Sequence, residues 1–128
     1  MGKKKNKTLN IVSAQPEIKY NKSLRKSMFR SVGEVCQCCG EKRTKQNGLV
    51  LTVHHILPVR AGGLATRENG LVACADCHTA VHDYIDPLGD VGRNFWQDMA
   101  DYILSLPKAT EECRARFSSG EEYIKKAA

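Results

Sequence analysis

The apolar positions along the chain alternate between two periods. Leu24, Met28, Phe29 and Val32 recur at helical spacing, which predicts a short amphipathic helix over residues 22–32. Lys22, Arg25, Lys26 and Arg30 lie mostly off its apolar stripe. "GLVLTVHHI" (48–56) reads as a strand, and residues 71–73 as a second, shorter one. Between them, Gly62-Gly63 and Asn69-Gly70 punctuate a loop. A helix is predicted over residues 75–85, stopped before Pro87, and "DPLGDVG" (86–92) follows as a linker. Phe95, Met99, Tyr102, Ile103 and Leu106 predict a further amphipathic helix over 94–106, ended by Pro107. Its Phe95 and Trp96 are read as core rather than as a partner surface. Weak helical signals follow at 111–117 and 121–126. Residues 1–20 are polar and basic and are expected to be disordered or extended.

A chain of 128 residues favours one domain with a single modest core. It divides into a basic arm (1–20), a core (21–86) and a C-terminal helical extension (87–128). No run of about 18 apolar residues occurs, so no membrane span is expected. The N-terminus has neither an apolar signal-peptide region nor a myristoylation pattern, so an intracellular, cytoplasmic protein is expected. Charge is unevenly spread. Residues 1–30 hold nine Lys/Arg against the single acid Glu17, a charge of +8, whereas the other 98 residues hold eleven against thirteen, a charge of −2. A basic arm of this kind suits contact with a phosphate backbone, and equally describes a solubilising tail.

Six cysteines in an intracellular chain point to metal rather than disulfides. Cys36-x-x-Cys39-Gly40 and Cys74-x-x-Cys77 form two knuckles whose spacing lets four thiolates reach one Zn²⁺ at about 2.3 Å. Cys38 is off register, and Cys113 stands alone. A closed four-thiolate site has no open position, so its expected role is structural.

The 34 residues between the knuckles hold two of the four histidines, His54 and His55. On a strand these two side chains leave on opposite sides, so they cannot easily share one task. His78 and His82 are four apart on the predicted helix and share a face. A strand histidine packed on that helix would complete a three-histidine metal site with open positions, the pattern of a catalytic rather than a structural ion.

"HHILPVRAGGLATRENGLVACADCHTAVH" (54–82) resembles the HNH endonuclease motif of the ββα-metal nucleases. The matching features are the His-His pair, Pro58, Gly62-Gly63, Asn69 and Cys-x-x-Cys-His at 74–78. The first knuckle resembles the zinc-bound branch of that family. The resemblance implies an α+β fold: a small ββα-metal, treble-clef-like core with a structural four-cysteine zinc site and flanking helices. It implies that His55 is the general base, that His54 and His78 bind a catalytic metal with His82 as third ligand, and that Asn69 fixes the His55 strand by hydrogen bonding across the loop. His55, Asn69 and His78 are then the catalytic residues.

The implied reaction is metal-dependent hydrolysis of DNA phosphodiesters, by nicking or cutting duplex DNA. The metal could be Zn²⁺, Ni²⁺, Mn²⁺ or Mg²⁺, the nitrogen-rich ligand set favouring the first three. The implied partner is the DNA backbone, with Arg60, Arg67, Lys22, Arg25 and Lys26 as contact candidates. A homodimer, or a partner such as a phage terminase, fits a small domain that cuts one strand per site, and a phage-encoded origin fits the type. The alternative is a zinc-containing nucleic-acid-binding module that has lost catalysis.

Overall fold

The computed structural model describes residues 17–119. The predicted helix at 121–126 and most of the expected arm, residues 1–16, lie outside that range. Among the described residues, four helices and one two-stranded antiparallel sheet make up the fold: α1 (Lys22–Ser31), β1 (Leu51–His55), β2 (Gly70–Cys74), α2 (Ala75–Ile85), α3 (Phe95–Ser105) and α4 (Glu111–Ser118), with 3₁₀ turns at Val59–Ala61 and Asp86–Leu88. This is the α+β, ββα arrangement expected from the sequence.

Local chemistry sets most boundaries. The Asn21 side chain caps α1 by accepting from Leu24 N at 2.8 Å, and Gly33 at φ +74° turns the chain away after it. β1 is shorter than the predicted 48–56. At its start, Leu49 N is taken by the Asn47 side chain rather than by a neighbouring strand. At its end, Ile56 N bonds Asn69 O across the loop. Asn94 and Thr110 cap α3 and α4 through their side chains. Among the described residues no helix is long and apolar enough to cross a membrane.

Pairing of β1 with β2 puts His55 opposite Gly70, His54 opposite Leu71 and Val53 opposite Val72. Strand alternation then separates two faces. Thr52 and His54 look onto α2. Val53 and His55 look towards α1 and residues 17–20. Gly70 lies where a β-carbon would come within 2.4 Å of Met28 Cε and 3.0 Å of the Tyr20 hydroxyl, so strand and helix approach closely there.

One apolar core runs through the sheet, α2 and the C-terminal helices. Leu71, Val81, Met99, Ile103 and Cys113 are within 1 % of full burial, each large side chain contributing roughly 1.5–3 kcal/mol. Trp96 and Phe117 pack ring on ring at 4.6 Å, so Trp96 is core, as expected. Arg116 reaches from α4 to the start of β2, donating from Nη1 to Gly70 O at 2.8 Å while its guanidinium lies over Trp96 and Phe117. The extension thereby braces the strand end that pairs with His55.

Of residues 17–20, assigned by sequence to the arm, Tyr20 packs on this core, while Glu17, Ile18 and Lys19 are exposed. Tyr20 is buried and donates to Thr66 O at 2.6 Å. Glu17 O accepts from Ala65 N at 2.9 Å.

Candidate metal centres and nuclease cleft

The first knuckle is a tight turn in which Gly40 N bonds Cys36 O at 2.8 Å. Gly40 has φ +77°, and a β-carbon there would meet Lys108 O at 2.9 Å, so glycine is required twice over. Gln37 ties the knuckle to β2. Its backbone N bonds Val72 O at 2.9 Å, and its side-chain oxygen accepts from Val72 N at 3.0 Å. The second knuckle straddles the β2–α2 junction, with Cys74 as the helix cap and Cys77 in the first turn.

The ligand atoms of Cys36, Cys39, Cys74 and Cys77 all lie within 4.8 Å of one another. Tetrahedral Zn²⁺ at about 2.3 Å places sulfurs about 3.8 Å apart, so this donor set fits a zinc ion. Cys38 stays outside the group. Its thiol donates to the Cys36 sulfur, which holds Cys36 well below the ordinary thiol range. The same bond, with burial, pushes Cys38 up. Burial raises Cys113 to about 12, so it stays a neutral core thiol.

His54, His78 and His82 form a second group whose ligand atoms also lie within 4.8 Å of one another. Their ring centroids make a nearly equilateral triangle: 5.2 Å from His54 to His78, 5.0 Å from His54 to His82 and 5.1 Å from His78 to His82. His54 is 4 % exposed, and its Nδ1 is buried without a hydrogen-bond partner. A buried orphan nitrogen is costly, and a bound cation is one way to satisfy such a cluster. Burial pushes His54 well below the ordinary imidazole range, with His78 and His82 adding like-charge repulsion. His78 shifts the same way, through burial and then His82. Neutral imidazoles are the ligand-competent form.

Two partners orient the helix histidines. Thr52 Oγ1 lies 2.7 Å from Ala73 O and 2.8 Å from His78 Nδ1. A carbonyl only accepts, so the hydroxyl proton goes to Ala73 and Thr52 must accept from His78 Nδ1–H. His78 Nε2 then keeps its lone pair. His82 Nδ1 sits 3.3 Å from Asp86 Oδ1, one helical turn on. This is the carboxylate–histidine pairing that orients metal ligands.

His55 leaves the strand on the other side. Its Nε2 is 2.9 Å from Ile18 O, so Nε2 carries the proton and Nδ1 the lone pair. The Tyr20 ring packs edge-on against it at 4.7 Å. His54 and His55 nevertheless open onto one cleft of ≈ 240 Å³, lined also by Pro58, Arg60, His78 and His82.

Asn69 is fully buried and away from this cleft. Its Oδ1 accepts from Leu57 N at 2.7 Å, and its Nδ2 donates to Leu57 O and Leu64 O, each at 3.0 Å. Both amide hydrogens are committed, so Asn69 bears on the site by holding the loop after His55. Gly63 belongs to the same lock, since a β-carbon there would lie 1.7 Å from Leu57 O.

The basic candidates fall into two groups. Lys22 and Lys26 are exposed on α1. Arg25 donates to Tyr20 O, Arg67 to Ser27 Oγ, and Arg60 pairs with Asp90. Sequence reasoning missed Thr52, Asp86 and the Ile18 carbonyl. Thr52 shares a strand face with His54, and Asp86 is four residues from His82, so both had a signal in the spacing. The Ile18 carbonyl, 37 residues from His55, had none.

Residues 36–84 match the family described as HNH endonuclease. Two curated proteins are similar over much the same length. One is Anaredoxin from a Nostoc species, 38% identical over 47 residues, which are 37% of this chain and 55% of that protein. The other is the type IV methyl-directed restriction enzyme EcoKMcrA of Escherichia coli, 31% identical over 51 residues, which are 38% of this chain and 18% of that enzyme. The matched segment thus spans little more than half of the first relative and under a fifth of the second. The match begins at the first cysteine knuckle and ends on α2 beside His82, so residues 36–84 of this chain match the HNH endonuclease family across both candidate ligand groups.

Proposed function

We propose that the protein is a metal-dependent endonuclease that hydrolyses phosphodiester bonds in DNA. The observation that carries the reading is the division of the adjacent histidines. His54 joins His78 and His82 in a three-nitrogen cluster, while His55 faces the same cleft from the other side of the strand. In this reading His54, His78 and His82 hold a divalent cation, and Cys36, Cys39, Cys74 and Cys77 hold a structural Zn²⁺. The cation, when bound, supplies Lewis-acid stabilisation of charge on the phosphate.

The chain's own residues do the rest. His55 Nδ1 takes a proton from the attacking water, because Nε2–H is engaged by Ile18 O. Thr52 and Asp86 keep His78 and His82 oriented. Asn69 keeps the loop after His55 in place. Lys22, Lys26 and the basic arm draw in the DNA backbone at no particular sequence. The three-part organisation into arm, nuclease core and helical extension belongs to this reading, with residues 17–20 serving the cleft.

The test is plasmid relaxation by the purified protein with Mn²⁺, Mg²⁺, Ni²⁺ or Zn²⁺, run beside His55→Ala and His54→Ala. We expect metal-dependent nicking that His55→Ala abolishes while still binding metal at the histidine site, and that His54→Ala loses together with that metal. No nicking with any cation refutes the enzyme reading. DNA retardation without cleavage would favour a binding module instead.

A further inference from the structure

Arg60 is the one cationic side chain among the described residues lining the histidine cleft, and it is already engaged. Its Nε donates to Asp90 Oδ2 at 2.8 Å and its Nη2 to Asp90 Oδ1 at 3.1 Å, a bidentate fork-to-carboxylate pair. The same edge of a guanidinium grips a phosphate in the same geometry. Both partners are about half exposed, 49 % and 47 %. Solvent reaches the pair, so parting it is cheap.

Both ends of the pair are held. Arg60 lies on the 3₁₀ turn Val59–Ala61, closed by bonds from Ala61 N and Gly63 N to Pro58 O, each 2.9 Å. Asp90 lies in the loop between α2 and α3. That loop is fixed by Gly89 N on Asp86 O at 3.2 Å and by Arg93, which binds both Gly89 O and Asp98. The loop touches the cleft twice, with Asp86 on His82 and Asp90 on Arg60.

We propose that Asp90 acts as a stand-in for a DNA phosphate: it occupies Arg60 in the free protein, and the bound strand replaces its carboxylate with a backbone phosphate beside the histidine cleft. Arg60 is then a substrate-gripping residue held in reserve. Asp90 screens this cationic side chain until a polyanion competes for it. For its cleavage arm the proposal rests on the nuclease reading, whereas its binding arm does not.

The experiment is a double-mutant cycle with Arg60→Ala, Asp90→Asn and the pair. Each protein is checked for unchanged unfolding in urea. Affinity for a mixed-sequence duplex is measured by fluorescence anisotropy at low salt in a His55→Ala background, and nicking is measured with His55 intact. Asp90→Asn should raise affinity and nicking about two- to fivefold, the scale of an exposed ion pair. Arg60→Ala should lower both, and the double variant should match Arg60→Ala. A rise that persists without Arg60 would mean only that a negative charge was removed, and the proposal fails. It fails also if Asp90→Asn lowers binding, or if either single variant changes nothing. If wild-type protein does not nick but the binding cycle behaves as stated, the nuclease reading falls and the Arg60–Asp90 exchange stands.

Discussion

Replacing Asn69 by Asp tests the lock behind the cleft without opening a cavity, because the two side chains have the same shape. The new carboxyl can still accept from Leu57 N, the 2.7 Å bond. It loses both donors, leaving Leu57 O and Leu64 O facing an oxygen where each had an N–H at 3.0 Å. At a fully buried position each lost bond costs roughly 1–3 kcal/mol, so the variant should be about 2–6 kcal/mol less stable at pH 8. That is a large share of a total of roughly 5–15 kcal/mol.

The penalty should depend on pH in a defined direction. Burial and the two facing carbonyls raise the folded-state pKa of the new carboxyl above its unfolded value of about 3.9. The variant is therefore least handicapped at acid pH and loses stability as pH rises through the folded-state value. Equilibrium urea denaturation of zinc-loaded wild type and variant, each at pH 5.5 and pH 8, gives the difference at each pH and cancels changes common to both. A variant within about 1 kcal/mol of wild type at pH 8, or one relatively weaker at pH 5.5, would refute the assignment of Asn69 as the loop's buried lock.

Two further predictions concern the histidine cluster. Thr52→Val removes the acceptor that holds His78 Nδ1–H, and should weaken cation binding about 10–100-fold, with Thr52→Ser near wild type. A competition titration with a metal-responsive dye measures this, and equal affinities for all three proteins would count against the tautomer assigned to His78. With the histidine site emptied by a weak chelator and the cysteine zinc retained, stability should fall as pH drops below about 6.5. The unfolded chain binds protons there that His54 and His78, both shifted down on folding, refuse. Urea midpoints between pH 8 and pH 5.5 report this slope, and His54→Gln should flatten it; a midpoint that rises towards acid contradicts it.

Much of the protein was determined by sequence alone because its rules are local. Helical period places α1 and α3, and Pro87 marks the end of α2. Two-residue spacing makes each cysteine knuckle. The i,i+4 rule puts His78 and His82 on one face, and strand alternation parts His54 from His55. The tertiary structure decided what depends on distant segments meeting. Only the folded chain brings the Ile18 carbonyl to His55, 37 residues away, and Asp90 to Arg60, 30 residues away. Only folding shows that Arg116 braces the start of β2, and that residues 17–20, polar enough to read as a loose arm, are anchored by Tyr20. No period or spacing in the chain encodes such contacts. Backbone carbonyls carry no residue-specific signal, and a salt bridge across two loops depends on where the core sets those loops.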